Sequence, residues 1–189
     1  MELYPFLLLH PNIPKPLHGL APRVILGDVW WQQQKAEARK KSGNCCVTCG
    51  ISPRDAKYHR WLETHEVYNI YSTGRVVFRT SIALCHSCHN YIHDGRMQVL
   101  VKKGELPYKK YLDILNHGNK LLSDWIGIGE DINLKKPFDG RVDSKYLKIT
   151  PFLKWEQCDC EWKDYHLILY GQRYDSKFPT YKDWEKFYS

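Results

Sequence analysis

The sequence predicts an α+β fold in which a two-stranded hairpin and a short helix are clamped by two cysteine pairs. Further helices flank this centre, and a small C-terminal αβ module follows it. Two Cys-x-x-Cys pairs enclose a stretch that is rich in β-branched and aromatic residues and contains the turn signal Ser-Thr-Gly. Apolar residues at helical spacing follow the second pair. A chain of 189 residues supports one sizeable core, or one domain with an appendage.

The composition is that of a folded, basic protein. Hydrophobic residues make up 43% of the chain and aromatic residues 14%, which argues against disorder. The net charge of +7 favours an anionic partner, of which nucleic acid is the commonest. We expect no membrane span, because no apolar run approaches about eighteen residues. We expect no signal peptide either, because Pro5 and Pro11 interrupt the apolar N-terminus and no basic segment precedes it.

Four of the seven cysteines form two pairs, with 35 residues between the pairs. Paired thiols of this spacing indicate a metal site in a reducing compartment, so we expect a cytoplasmic protein. Two such pairs complete a tetrahedral Zn²⁺ site, which is structural because four thiolates leave no open position. Metal-coupled folding of this kind is worth roughly 10–16 kcal/mol. The predicted ligands are Cys46, Cys49, Cys85 and Cys88.

The other three cysteines lie outside these two pairs. Cys45 precedes Cys46 and is an alternative ligand, although the Cys-x-x-Cys geometry favours Cys46. Cys158 and Cys160 are too close in sequence for an ordinary disulfide. We interpret them as packing residues or as half of a site shared between subunits.

A second set of metal-binding residues is based on histidine. His89 and His93 are four residues apart, so they lie on one face of a helix and can share one cation. His65, on the predicted strand before the turn, becomes a third ligand if that strand folds back toward the helix. Such a site leaves positions for water and phosphate. Of the remaining histidines, His86 lies in the loop of the second cysteine pair. The others lack partners at ligand spacing, although His59 precedes His65 on the same predicted strand: His10, His18, His59, His117 and His166.

We divide the chain into an extended arm (1–26), a central domain with flanking helices (27–126), a linker (127–145) and a small module (146–189). Asp28 and Gly43 predict the ends of the first long helix, and Gly95 predicts the end of the short helix. A later helix carries an apolar stripe of Tyr111, Leu112, Leu115 and Leu122. The C-terminal module is predicted as a strand, a Gly-Gln turn, a strand and a closing helix.

The ordered string CVTCG…LETHEV…IALCHSCHNYIH resembles the HNH endonucleases of the ββα-metal (His-Me finger) superfamily, in their zinc-knuckle form. The resemblance covers roughly 30–95. It implies that the four paired cysteines hold structural zinc. It also implies that His65, His89 and His93 hold a catalytic divalent metal, which in this family is Mg²⁺, Mn²⁺, Ni²⁺ or Zn²⁺.

Two positions depart from the family pattern. Glu66 stands at the place of the general-base histidine, and Thr80, followed by Ser81, stands at the place of the asparagine. Glu66 can act as the base, and Thr80 or Ser81 can support it by a hydrogen bond. In an alternative register, Glu66 is the ligand and His65 is the base.

The resemblance implies metal-dependent hydrolysis of DNA phosphodiester bonds, with double-stranded DNA as the expected partner. Basic residues are candidates for phosphate contacts, which weaken with salt: Arg75, Arg79, Arg96, Lys102 and Lys103. A second hypothesis is a catalytically degenerate module of the same fold that binds DNA or a protein. A third hypothesis is a nuclease directed at RNA.

Overall fold

The computed structural model describes residues 2–127, 156 and 160–188. Within these residues the fold is mixed α+β, with a four-stranded sheet and five α-helices. The helices are α1 (Pro22–Lys41), α2 (His86–Ile92), α3 (Asp94–Lys102), α4 (Tyr108–Ile126) and α5 (Tyr181–Tyr188). The strands are β1 (Glu63–Ile70), β2 (Arg75–Leu84), β3 (His166–Leu169) and β4 (Gln172–Asp175). The predicted α+β class is confirmed.

The sheet has the order β1-β2-β3-β4. A short turn joins β1 to β2, in which Gly74 has a φ of 79° and its amide donates to the carbonyl of Tyr71 over 3.0 Å. A connection this short makes the two strands antiparallel. β2 pairs with β3 in parallel, with Arg75 opposite His166. The hairpin predicted around Ser-Thr-Gly is therefore present.

The C-terminal hairpin turns one position earlier than the predicted Gly-Gln pair. β3 and β4 pair antiparallel, with Leu169 opposite Gln172. Tyr170 and Gly171 form the turn and have φ angles of 50° and 84°. Two consecutive positive φ angles are the signature of a type I′ turn, whose twist matches the flanking strands.

The residues divide into two compact units, each assembled from separate stretches of the chain. The first unit comprises Met1–His10, Glu37–His65 and Ile82–Ile149, and the second comprises Pro11–Ala36, Glu66–Ser81 and Thr150–Ser189. The second unit has an apolar core formed by Leu17, Leu20, Tyr68, Ile70, Val76, Phe78, Leu167 and Leu169. These strand residues alternate along β1, β2 and β3, as expected for the buried face of a sheet.

The core of the first unit is built around α4. Tyr111, Leu115 and Leu122 are buried as predicted, whereas Ile114 is buried in place of Leu112, which is half-buried. Gly118 lies on the same side of α4, against the ring of Tyr91 from α2. A side chain at this position would overlap that ring, so the close contact between α2 and α4 requires glycine.

Helix boundaries near the cysteine pairs differ from the prediction in one respect. Gly95 does not end a helix but lies inside α3, while the break occurs at His93, whose φ and ψ are −87° and 34°. Asp94 explains the restart, because its buried carboxylate accepts hydrogen bonds from Tyr111 and Gln98 over 3.0 and 2.9 Å. An acidic residue at a helix N-terminus is favourable for the helix dipole.

The first long helix begins at Pro22, six residues before the predicted start at Asp28. α1 is interrupted at Gly27, which has a φ of 78°, and continues through Asp28 to Lys41. The chain then turns at Gly43 and Asn44, whose φ angles are 59° and 58°. Across the described residues, no helix is both long and apolar enough to span a bilayer. The predicted linker lies outside the described residues beyond Gly127.

Candidate metal centres

The first cysteine pair lies in a tight turn that follows α1. The amide of Cys46 donates to the carbonyl of Ile51 over 2.9 Å, and the amide of Gly50 donates to Cys46 over 2.8 Å. Gly50 has a φ of 76°, a conformation that favours glycine. The turn therefore presents the thiols of Cys46 and Cys49 from one short loop.

The second pair is formed by the start of α2. Cys85 immediately precedes the helix, and its carbonyl accepts a hydrogen bond of 2.9 Å from the amide of His89. Cys88 lies in the first turn. The amide of Val47 donates to the carbonyl of Ala83 over 3.0 Å, which joins the backbone of the first pair to the end of β2. Strand pairing and helix initiation together bring the two pairs into contact.

The four thiols fit a tetrahedral metal ion. The sulfur atoms of Cys46, Cys49, Cys85 and Cys88 all lie within 4.8 Å of one another. The Sγ atoms of Cys49 and Cys85 are 3.8 Å apart. A tetrahedron with Zn–S bonds of about 2.3 Å has edges of about 3.8 Å, so this distance matches zinc. The predicted cysteine group is therefore brought together and could hold zinc.

The thiols of the cysteine group shift one another's pKa values in opposite directions. Hydrogen bonding with Cys49 lowers the pKa of Cys46 to about 6, while hydrogen bonding with Cys46 raises the pKa of Cys49. Burial is the main reason that the pKa of Cys88 is raised. Without a metal, the group thus retains protons, because four thiolates this close repel one another. A bound cation removes that repulsion.

Two polar side chains contact the sulfur atoms from outside the group. The hydroxyl of Thr48 lies 3.1 Å from Sγ of Cys46, and Nε2 of His117 lies 3.4 Å from Sγ of Cys88. Donors at such positions stabilise thiolate ligands. The sequence shows no partner at ligand spacing for His117, which lies on α4. Its contact with Cys88 arises from the packing of α4 against α2.

The predicted histidines also meet. His65 lies on β1, His89 lies on α2, and His93 directly follows α2. Their ring centroids are 5.0 Å apart for His65 and His93, and 4.5 Å apart for His89 and His93. One ring nitrogen from each lies within 4.8 Å of the others, so these residues, the three-histidine group, could hold a metal ion.

Glu63 contacts this group from the start of β1. Its Oε2 lies 2.5 Å from Nδ1 of His89, and its Oε1 lies 2.6 Å from Nδ1 of His86. Burial alone would raise the pKa of Glu63, but the hydrogen bonds with His86 and His89 outweigh burial and hold this pKa well below its ordinary value. An ionised carboxylate at Nδ1 favours the imidazole tautomer whose Nε2 is free for a metal.

A third group of possible ligands was not found from the sequence. His59, Glu63 and His86 also present ligand atoms within 4.8 Å of one another. We call these residues the Glu63 group. The sequence predicts His86 as a residue of the second cysteine loop and not as a ligand. One feature of the sequence does point to Glu63 as a neighbour of the histidines. Glu63 and His65 are two positions apart on a strand and therefore share a face.

His10 is a further histidine near the site that the sequence did not single out. It follows a 3₁₀ helix over Pro5–Leu9 and is buried, and its ring lies edge-on to His65 with centroids 5.6 Å apart. No local pattern connects residues this far apart in sequence. The contact arises only when the N-terminal segment folds with the rest of the first unit, to which it belongs.

Glu66 and Thr80, the two residues that depart from the expected pattern, have partners of their own. The carboxylate of Glu66 lies 3.3 Å from Nη1 of Arg23. Adjacent strand residues point to opposite faces, so Glu66 and His65 leave β1 on different sides. The hydroxyl of Thr80 lies 3.4 Å from the carbonyl of Ser81. Glu66, Thr80 and Ser81 belong to none of the metal-ligand groups found among the described residues.

Cys45 and Cys160 do not belong to the cysteine group. Cys45 is half-buried and is not a member, which agrees with the preference for Cys46. Cys160 packs near the turn after β1, where a Cβ on Gly74 would lie 2.9 Å from its sulfur. Cys158 lies outside the described residues.

Comparison with known proteins gives no relative from which a function can be transferred. No protein-family model, curated protein or solved structure matches this chain. The chemistry of the three ligand groups is therefore the basis for a functional argument.

Proposed function

We propose that this chain is a metal-dependent endonuclease that hydrolyses DNA phosphodiester bonds at an HNH-type one-metal site. The observation that carries the proposal is the meeting of His65, from the strand, with His89 and His93, from the helix. The resemblance to the HNH family implies that the ligands of the catalytic metal come from these two elements. The adjacent cysteine group supports the proposal. Cys88 and His89 are consecutive on α2, so a metal at the cysteine group would hold His89 in place.

The three-histidine group has the donor chemistry that the proposed reaction needs. Imidazole nitrogens bind Zn²⁺, Ni²⁺ and other transition metals, and three protein ligands leave open positions. A divalent cation bound there supplies charge neutralisation for the scissile phosphate and its leaving oxygen. The protein holds its ligands in place through zinc at the cysteine group and through the carboxylate of Glu63 against His89.

The proton acceptor for the attacking water has two candidates in this proposal. Glu66 occupies the position of the family's base, and in the alternative register His65 is the base and Glu66 the ligand. Glu66 pairs with Arg23 and leaves β1 on the side opposite to His65, so neither register has direct geometric support. A Glu66→Gln variant separates them, because it abolishes cleavage and leaves metal affinity unchanged only if Glu66 is the base.

The proposed substrate follows from charge and from the family resemblance. A net charge of +7 favours a polyanion. Basic side chains on β2 and α3, including Arg75, Arg79 and Arg96, are proposed to contact phosphates. Such contacts grip any sequence, so the proposal predicts affinity that falls steeply with salt.

The activity is tested with supercoiled plasmid DNA and a matched RNA, each with Mg²⁺, Mn²⁺, Ni²⁺ or Zn²⁺. We expect nicking of DNA by the wild-type chain and loss of nicking in His89→Ala. His166→Ala is the matched control, since His166 lies on β3 and its ring nitrogen Nδ1 lies 2.9 Å from the carbonyl of Asp164, away from the three-histidine group. Cleavage of RNA alone would favour the RNA-directed hypothesis.

A nuclease contaminant is excluded by the variants. If nicking persists in His89→Ala at the wild-type level, or if no cation supports nicking in the wild type, the endonuclease proposal fails. Zinc content and circular dichroism of each variant establish that the cysteine group and the fold are retained.

A second candidate is a non-catalytic module that keeps the fold and binds DNA or a protein. The observation that favours it is that Glu66 is paired with Arg23 and that Thr80 contacts a neighbouring carbonyl. This candidate predicts salt-sensitive DNA binding that survives His89→Ala. Binding that disappears in His89→Ala, with the fold intact, would contradict it.

A further inference from the structure

The Glu63 group has the geometry of a metal site in its own right. Oε1 of Glu63 lies 2.6 Å from Nδ1 of His86 and 3.4 Å from Nδ1 of His59. The rings of His59 and His86 have centroids 4.0 Å apart. The ligand atoms of all three residues lie within 4.8 Å of one another. The 2.6 Å contact is a hydrogen bond, so a cation would replace the proton that Glu63 and His86 share, and their ligand atoms would separate slightly around it.

The surrounding structure fixes the positions of these ligands. His86 directly follows Cys85, so the cysteine group holds its backbone at the start of α2. The side-chain amide of Asn90 donates to the carbonyl of His86 over 2.9 Å. His59 is held by Trp61, whose ring stacks on it with centroids 4.2 Å apart. A preorganised set of ligands loses little entropy when it binds a metal.

The donor set indicates which metals bind and what remains open. Two imidazoles and one carboxylate form a set that suits Zn²⁺ and neighbouring transition metals rather than Mg²⁺ or Ca²⁺. Three protein ligands leave at least one coordination position for water or an exogenous ligand. The carboxylate of Glu63 also reaches His89 through its second oxygen, so this group and the three-histidine group share one side chain as a link.

A cavity of about 360 Å³ adjoins the group, and its lining combines basic with apolar side chains. Its lining includes all three ligands together with Trp61, Arg96 and Lys110. Arg96 and Lys110 contribute two positive charges, and Trp61 is 55% exposed, so it offers an apolar face to a ligand. A metal, a guanidinium and an ammonium in one cavity favour a dianion with several acceptor oxygens.

We propose that His59, Glu63 and His86 bind a second transition-metal ion, whose open position faces this cavity and accepts a terminal phosphate group. A terminal phosphate carries close to two negative charges and three acceptor oxygens, which exceeds what an internal phosphodiester offers. Both a free nucleotide and the phosphorylated end of a nucleic acid provide it. The site does not depend on the nuclease proposal, because its ligands His59 and His86 lie outside the three-histidine group.

The metal is tested by titrating the full zinc-loaded chain with Co²⁺ and following its d–d absorption, with total metal measured by mass spectrometry. The test uses a His65→Ala background, which removes a ligand of the three-histidine group. We expect one Co²⁺ per chain in that background and none after His59→Ala is added. His59→Gln is a second variant that retains side-chain volume, and His166→Ala is the neutral control.

The outcomes separate this proposal from the nuclease proposal. Equal Co²⁺ binding with and without His59→Ala, in chains that retain one zinc, would overturn the second site, whatever the activity of the wild type. The same holds if the His65→Ala chain binds no Co²⁺ at all. Conversely, loss of nicking in His89→Ala says nothing about His59, so the two proposals can fail independently.

The ligand is tested with inorganic phosphate, a nucleoside monophosphate and paired oligonucleotides with and without a 5′-phosphate. We expect the Co²⁺ spectrum to shift with each phosphate monoester, and the 5′-phosphate to tighten oligonucleotide binding about tenfold. Lys110→Ala should remove most of that gain, while Lys120→Ala, elsewhere on α4, should retain it. No difference between phosphorylated and unphosphorylated oligonucleotides would exclude the phosphate ligand. A shift with inorganic phosphate alone would likewise exclude a nucleotide or nucleic-acid end.

Discussion

Oε2 of Glu63 lies 2.5 Å from Nδ1 of His89, which connects a carboxylate on β1 to a candidate metal ligand on α2. A carboxylate in this position fixes the orientation of the imidazole and increases the electron density at its other nitrogen. We therefore predict that Glu63, which the sequence did not single out, strengthens metal binding at the three-histidine group.

The first prediction concerns Glu63→Gln, which keeps the shape of the side chain but removes its charge. We expect the three-histidine group to bind Co²⁺ about 10–100-fold more weakly, because the charged acceptor at His89 is lost. Isothermal titration in a His59→Ala background measures this site separately. Glu37→Gln, at an exposed position of α1, should bind as the wild type does, and unchanged affinity in Glu63→Gln would contradict the role.

The second prediction concerns the cysteine group. Cys88→Ser should abolish tight zinc binding and unfold the first unit, because zinc-coupled folding of about 10–16 kcal/mol exceeds the usual stability of a domain. Cys45→Ser is the matched control, since Cys45 is adjacent in sequence to a ligand but outside the group. Zinc content and thermal unfolding report the result. Retention of one tight zinc in Cys88→Ser would show that another residue completes the site.

The third prediction reverses the usual effect of replacing a glycine within a helix. Gly→Ala normally stabilises a helix by about 1 kcal/mol. At Gly118 the new methyl group would overlap the ring of Tyr91, so we expect Gly118→Ala to be destabilising by about 1–3 kcal/mol. Gly95→Ala, in α3 with open space around the position, should be neutral or stabilising. Chemical denaturation measures both, and a gain in stability for Gly118→Ala would contradict the packing.

The fourth prediction concerns pH and α5. Nε1 of Trp184 donates a hydrogen bond of 3.0 Å to Nδ1 of His18, so that nitrogen must be unprotonated. Burial lowers the pKa of His18, and Lys15 acts in the same direction, against a backbone hydrogen bond with Ile13 that raises it. Because the pKa is lower in the folded state, the stabilisation is complete above the unfolded value of about 6.5 and is lost as the pH falls below it.

This pH dependence is measured by the fluorescence and thermal unfolding of the chain between pH 7.5 and pH 5. We expect the wild type to lose stability on acidification and His18→Gln to lose less, since glutamine retains an acceptor but does not titrate. His166→Gln serves as the control for removal of a histidine. An identical pH profile in the wild type and His18→Gln would refute the assignment.

Local patterns were sufficient to predict the cysteine group and part of the three-histidine group. Two Cys-x-x-Cys pairs specify their own geometry within four residues, and His89 and His93 follow from helical spacing alone. The pairing of β1 with β2 could also be predicted, because a turn of a few residues joins them. Each of these features depends on contacts between residues that are near in sequence.

The features that the sequence did not reveal depend on distant contacts. His10, His59, His86 and His117 have no partner at a recognisable spacing, and each acquires one through the packing of loops or helices. Glycine often ends helices, so the sequence predicts a helix end at Gly95. The buried carboxylate of Asp94 and its hydrogen bond to Tyr111 override that preference, and Tyr111 lies seventeen residues away.

The parallel pairing of β2 with β3 has a consequence for synthesis of the chain. Arg75 and His166, which lie opposite each other, are about 90 residues apart. At a translation rate of about 5–20 residues per second, the nascent hairpin waits on the order of 5–20 s for its neighbour. During that interval the edge of β2 has unpaired amides and carbonyls that another nascent chain can pair with. The edge of β2 is therefore the part of the nascent hairpin most prone to wrong pairing until β3 is synthesised.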